Sequence, residues 1–134
     1  MVGTMGDVTL ADAIIKNISG FNKTKAYECI RKDAFSIPPI NELVGRNAIK
    51  SYLQYNYIPK NIIKEEVSRT LNYILSDYAI AQAAKTLGYN DDYDILMKRS
   101  QWYKNLFDNS DKFFKTKDIN GNFDTNDNFD QFAW

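Results

Sequence analysis

The 134-residue chain contains no histidine, one cysteine and only three prolines, and each shortage closes off a line of chemistry. Without histidine, the commonest metal ligand and the commonest general base at neutral pH are missing. Cys29 cannot form an intrachain disulfide, and with no histidine to activate it the reading is a buried, inert thiol rather than a nucleophile. No run of eighteen apolar residues occurs, so no segment is long enough to cross a membrane as a helix. No basic and then apolar leader opens the chain, which says nothing of compartment if the chain is a piece of a longer one. Seventeen basic and seventeen acidic side chains cancel, leaving no positive excess to favour nucleic acid or an anionic membrane surface.

What is present is a globular composition, 44% hydrophobic and 14% aromatic. The length fits one small domain able to bury roughly two-thirds of its unfolded surface. Periodicity predicts five helices and a tail. Thr9 is placed to cap the first, with Asp12 three residues on, and Leu10, Ala13, Ile14 and Ile18 form its apolar face before Gly20 stops it. Asn22 starts a second helix that runs to about Asp33 with Ala26, Tyr27 and Ile30 inward. Pro38 and Pro39 force an extended linker, and a third helix near Asn47 to Tyr55 presents Ile49, Tyr52 and Leu53.

The fourth and fifth helices lie between Val67 and Asp108. Val67, Leu71, Ile74, Leu75 and Tyr78 recur at helical spacing, and Ala79, Ala81, Ala83 and Ala84 let a neighbour approach closely. Gly88 sits where a helix C′ residue belongs. Asn90 is placed to cap the next helix, Asp91, Asp92 and Asp94 suit the positive end of its dipole, and Tyr93, Leu96, Met97, Tyr103 and Phe107 supply its apolar face.

From Asp118 to Trp134 there is no basic residue, and Asn120-Gly121 is the strongest hairpin signal in the chain. Asp118, Asn120, Asn122 and Asp124 alternate like calcium ligands, but the glycine falls at the fourth position and no glutamate follows at the right distance, so the EF-hand pattern fails. A solvated hairpin is the preferred reading, within an excursion over 109–134 whose aromatics pack on other parts of a parent protein and which is poorly ordered alone.

Motifs along most of the chain carry a family likeness. Ser68, Thr70, Leu71, Tyr73 and Asp77, then Ile80, Ala81, Gln82, Ala84, Lys85, Leu87 and Gly88, then Asp92, Tyr93, Arg99, Ser100, Tyr103, Lys104, Asn105, Leu106, Phe107 and Asp108 resemble consecutive motifs of glycoside hydrolase family 92, the calcium-dependent exo-α-mannosidases. The opening MVG with Ala11-Asp12-Ala13, the Gly45-Arg46 pair, Tyr57-Ile58-Pro59 and the Asn120 to Phe123 turn extend it.

The resemblance implies an all-α fold of αα-hairpins: a slice of an (α/α)6 toroid with an irregular, β-hairpin-containing C-terminal tail, one partial domain over 1–134 with its helical hairpins in 1–108. It implies a parent enzyme that releases terminal mannose from α-mannosides such as N-glycans with inversion, assisted by calcium, and that is periplasmic, cell-surface or secreted. The family's segments for general acid, general base and calcium (T-E-G-N-A-W-Q, G-N-D-D and N-E-P-S-H-H) are absent from this sequence, so no catalytic residue and no metal ligand is expected within it, and the rest of the parent polypeptide is the implied partner.

Glycoside hydrolysis needs paired carboxylates, and the best-placed carboxylate here is Asp77. Arg69, Asn72 and Tyr73 precede it by one to two turns, with Arg69 to Tyr73 and Tyr73 to Asp77 as i,i+4 pairs able to share a face. These four are the substrate-pocket candidates, with a structural network between helices as an equal alternative. Asn72 and Ser76 stand where the family has carboxylates. Two other functions stay open at this point: a helical-hairpin interaction module of tetratricopeptide type, against which there is no 34-residue repeat, and a truncated gene product without activity.

Overall fold

The computed structural model describes residues 4–39 and 44–125. Five helices follow in order: α1 Gly6–Ile15, α2 Lys23–Phe35, α3 Ile49–Tyr55, α4 Glu66–Leu87 and α5 Asn90–Arg99. A 3-10 turn over Trp102–Asn105 leads into a small antiparallel hairpin of β1 Phe107–Asp108 and β2 Phe113–Phe114. None of the helices among the described residues is long and apolar enough to cross a membrane.

Helix α4 is the axis on which the others pack: α1, α2 and α5 all lie against it, and α1 also lies against α2. The alanines explain how one helix takes three neighbours. Ala81, Ala83 and Ala84 are fully buried and share a core with Ala11 and Ile14 of α1, Tyr27, Ile30 and Ala34 of α2, and Leu96 of α5. Small side chains on α4 let backbones approach, so a larger one has nowhere to go. Replacing Ala84 by Leu is expected to cost about 1–3 kcal/mol through overpacking, read by chemical denaturation against the exposed control Lys85→Leu, and equal stability of the two variants would show that the seam is loose. A second, smaller core joins Tyr52 and Ile58 to Tyr73 and Ile74, with Trp102 against it.

Local signals set most boundaries. Asn22 caps α2, its side chain accepting from the backbone N–H of Lys25 at 3.0 Å. Gly88 takes the left-handed conformation at φ 85° that closes α4, with Tyr89 N–H donating back to the Ala84 carbonyl at 2.9 Å.

Four expectations fail against the structure. Helix α1 begins at Gly6, a turn ahead of Thr9, and Thr9 and Asp12 lie exposed within it. Its inward face is Asp7, Ala11 and Ile14, while Leu10 and Ile18 point outward. Cys29 is exposed, since the buried phase of α2 passes through Tyr27, Ile30 and Ala34. Asn90 is the first residue of α5 and its cap is Tyr89, which makes no side-chain bond. Finally α5 stops at Arg99, whose guanidinium donates to the Ala34 carbonyl at 2.7 Å, and the 3-10 turn brings Trp102 to an edge contact with Tyr52 at 5.0 Å. The change from helix to hairpin therefore precedes residue 108, and Phe107 pairs in a strand instead of extending a helical face.

Up to residue 125 the tail is better anchored than its sequence suggests. Residues 114–125 fasten to the segment before α4 and to its first turn: Lys60 N–H donates to the Lys117 carbonyl at 2.7 Å, the Tyr57 hydroxyl to the Asp118 carbonyl at 2.7 Å, and the Thr116 hydroxyl to Glu66 at 2.7 Å. Phe129, Phe132 and Trp134, expected to pack on a parent protein, lie outside the described residues. Among described apolar residues, Ile18 (50% exposed), Leu75 (47%) and Phe113 (57%) remain uncovered, whereas Ile14 and Leu96 are buried.

Candidate functional site

The four pocket candidates gather at the first half of α4. Tyr73 and Asp77 turn inward there, one turn apart, toward the segment that precedes α3. The Asp77 carboxylate is wholly buried: one oxygen accepts from Arg46 Nη1 at 2.5 Å and the other from the Tyr52 hydroxyl at 2.8 Å. Tyr73 donates its hydroxyl to the Asn47 carbonyl at 2.9 Å, and the Arg46 guanidinium lies over its ring at 5.2 Å. The predicted pair of Tyr73 and Asp77 thus meets through Arg46. Arg69 interacts with the Tyr73 hydroxyl, as its i,i+4 spacing suggests, and also binds Glu65 at 3.0 Å and the Lys64 carbonyl at 3.1 Å. Asn72 is half-buried and already engaged in contacts of its own.

Tyr73 and Asp77 sit in a network between segments, whereas Arg69 and Asn72 stay partly exposed. Arg46 and Asp77 are both 0% exposed with only this chain around them, so further chain could add cover but not remove it. Desolvation penalises the Arg46 cation, yet the Asp77 carboxylate raises the guanidinium's pKa above its usual value. Burial first, and then the neighbouring Asp77 charge, push the Tyr52 hydroxyl up as well, so it stays a donor. A fully hydrogen-bonded ion pair of this kind fixes the mutual position of three segments. Among the described residues, every buried side-chain polar atom has a partner.

Two central residues of the cluster escaped the sequence reading. Arg46 was visible as part of a Gly-Arg motif, but nothing local marks it as buried. Asp7 completes the group: it is 3% exposed, accepts from the Thr4 hydroxyl at 2.5 Å, and stands 3.5 Å from Arg46 Nη2. A second ion pair joins α2 to α5. Asp92 accepts from Arg31 Nε at 2.5 Å and Nη2 at 3.0 Å and from the Tyr27 hydroxyl at 2.7 Å. These bonds, Arg31's foremost, hold its carboxyl below the usual range. Asp92 is therefore an interhelical anchor as well as a first-turn acid.

The alternating acids and amides of the tail form a tight turn. Asp118 Oδ1 accepts from the N–H groups of Asn120 and Asn122, both at 2.9 Å, with Gly121 at φ 86° and Lys117 bridged to Phe123. These bonds depress the Asp118 carboxyl, Asn122's most. The second Asp118 oxygen accepts from the Asn122 side-chain amide at 3.1 Å, so both oxygens are engaged within the turn, and no group of three His, Cys, Asp or Glu suited to a metal occurs among the described residues.

Comparison with known proteins assigns the segment. Residues 1–134 match the glycosyl hydrolase family 92 catalytic domain. A family GH92 inverting mannosidase from Bacteroides thetaiotaomicron superposes on all of the chain with a TM-score of 0.87 at 30% identity, the chain covering 18% of it. A family GH92 α-mannosidase from the same species, solved in complex with mannoimidazole, matches 94% of this chain with a TM-score of 0.84 at 35% identity, and 16% of its own length is covered. An uncharacterized secreted glycosidase of Arthroderma benhamiae is 33% identical over 114 residues, which is 78% of this chain and 14% of that protein. The chain thus spans less than a fifth of the relatives it matches. Its αα-hairpins are a slice of the toroidal fold that the motifs implied, and no interaction module of repeat type needs to be invoked: the chain belongs to glycosyl hydrolase family 92.

Proposed function

We propose that the chain is a scaffold segment of an exo-acting α-mannosidase that removes terminal mannose from α-mannosides with inversion, with acid, base and calcium ligands supplied by other parts of the parent polypeptide. The family match over all 134 residues carries this reading. The solved relatives, one an inverting mannosidase and one holding mannoimidazole, support the substrate class. The secreted fungal relative supports an extracellular or periplasmic location.

The part taken by these residues is positional. Arg46, Tyr52 and Asp77 are sealed from solvent and bonded within this chain, so they hold helices in place while the sugar is handled elsewhere.

The test compares the purified 134-residue chain with a polypeptide that also carries the flanking coding sequence, using an aryl α-mannoside. The longer protein is expected to turn over, to release β-mannose as first seen by NMR, and to lose activity to a calcium chelator. The chain alone is expected to show no hydrolysis, because loss of even one member of a catalytic pair costs orders of magnitude. Calcium-dependent turnover by the chain that survives further purification would overturn the scaffold reading. A longer protein that cleaves other glycosides but no mannoside would overturn the substrate class.

A further inference from the structure

We infer that Asp7 is a proton-operated latch: as a neutral acid it docks the first turn of α1 onto α2 and α4, and losing its proton loosens that turn.

The argument begins with the charge count in a closed site. Arg46, from the loop before α3, serves two carboxylates, Asp77 on α4 at 2.5 Å and Asp7 on α1 at 3.5 Å. Asp77 takes the close contact and the Tyr52 hydroxyl besides. Asp7 keeps only the distant edge of the guanidinium and the Thr4 hydroxyl. From α2, the Asp33 carboxylate faces Asp7 within hydrogen-bonding reach and adds a third negative group. From α4, Ser76 donates to the Thr4 carbonyl at 3.5 Å and brings no charge. Arg99, at the end of α5, acts on Asp77 and donates to the Ala34 carbonyl, so it leaves Asp7 uncompensated. With Asp7 ionised, the one buried cation of the cluster among the described residues faces two buried carboxylates, Asp77 and Asp7. The partly exposed Asp33 adds its charge beside Asp7. A single proton on Asp7 leaves one buried carboxylate for the one buried guanidinium and gives Asp7 an O–H to donate to Asp33.

The titration agrees with this geometry. Burial, the largest influence, pushes the Asp7 carboxyl up to about 7 despite Thr4 and Arg46, and Asp33 pushes it the same way. The folded state therefore keeps a proton that the unfolded chain releases near 3.8. The stabilisation is complete below 3.8 and is lost as pH rises toward and through 7. Asp92 works in the opposite direction but only below its ordinary range, so it is flat over this window. The chain has no histidine, leaving pH 5 to 8 clear of the side chain that ordinarily titrates there.

The experiment follows urea unfolding of the full chain at pH 5 and pH 8, with the variants Asp7→Asn and Asp33→Asn. The wild-type folding constant is expected to fall roughly tenfold to a hundredfold from pH 5 to pH 8. Asp7→Asn should abolish that fall and Asp33→Asn should shrink it. Carbon-13 NMR of the Asp7 carboxyl in the unaltered chain gives a direct reading even if a variant fails to fold. A titration near 7 supports the latch. A midpoint below 5, or a wild-type pH slope equal to that of Asp7→Asn, would overturn it.

Discussion

Replacing Arg46 by Ala is expected to destabilise the fold by about 3–5 kcal/mol, the usual cost of stripping one partner from a buried ion pair. Asp77 would keep only the Tyr52 hydroxyl, Asp7 would lose its one nearby cation, and the ring of Tyr73 would lose the guanidinium above it. The cost comes mainly from the buried Asp77 carboxylate left without its cation. Pairing Arg46→Met with Asp77→Leu should therefore recover much of the loss, because an apolar replacement of both members avoids desolvating a lone charge. A denaturant double-mutant cycle measures this coupling. Single and double variants that lie within 1 kcal/mol of wild type would show that the cluster does not hold the helices together.

Leu96→Ala should cost about 2–5 kcal/mol, since truncating a buried leucine adds a cavity to the lost burial. Leu96 is wholly buried where α5 meets the alanine face of α4. Leu87, partly buried at the edge of the same core, is the control: Leu87→Ala should cost distinctly less. Equal losses at the two sites would show that the interior of this layer repacks freely and that the alanine seam does not fix it.

Much of the architecture was readable because its causes are local. The spacing of Tyr27 and Ile30, the cap at Asn22, the glycine at 88 and the run of alanines in α4 act within a few residues, and they place α2 and most of α4 correctly. What the sequence hid depends on residues far apart along the chain. The early start of α1 follows from Asp7 finding Arg46, and the position of Asp92 follows from Arg31, 61 residues away. No periodicity reports such pairs. The same holds for the candidate site. Tyr73 and Asp77 could be set on one face by counting turns, but whether that face opened to a sugar or closed on a cation depended on Arg46 and Tyr52. The Gly-Arg motif named Arg46 without revealing its burial.

The fastening of the tail bears on the order of assembly. Its bonds join Tyr57 to Asp118 and Lys60 to Asp124, separations of 61 and 64 residues, and closing loops of that length carries an entropic cost before any contact repays it. The helical pairs, built from contacts nearer in sequence, are therefore expected to form first on refolding, with residues 114–124 docking onto 57–66 last. On unfolding the sequence reverses, so the amide of Lys60 should exchange with solvent well ahead of those in the middle of α4.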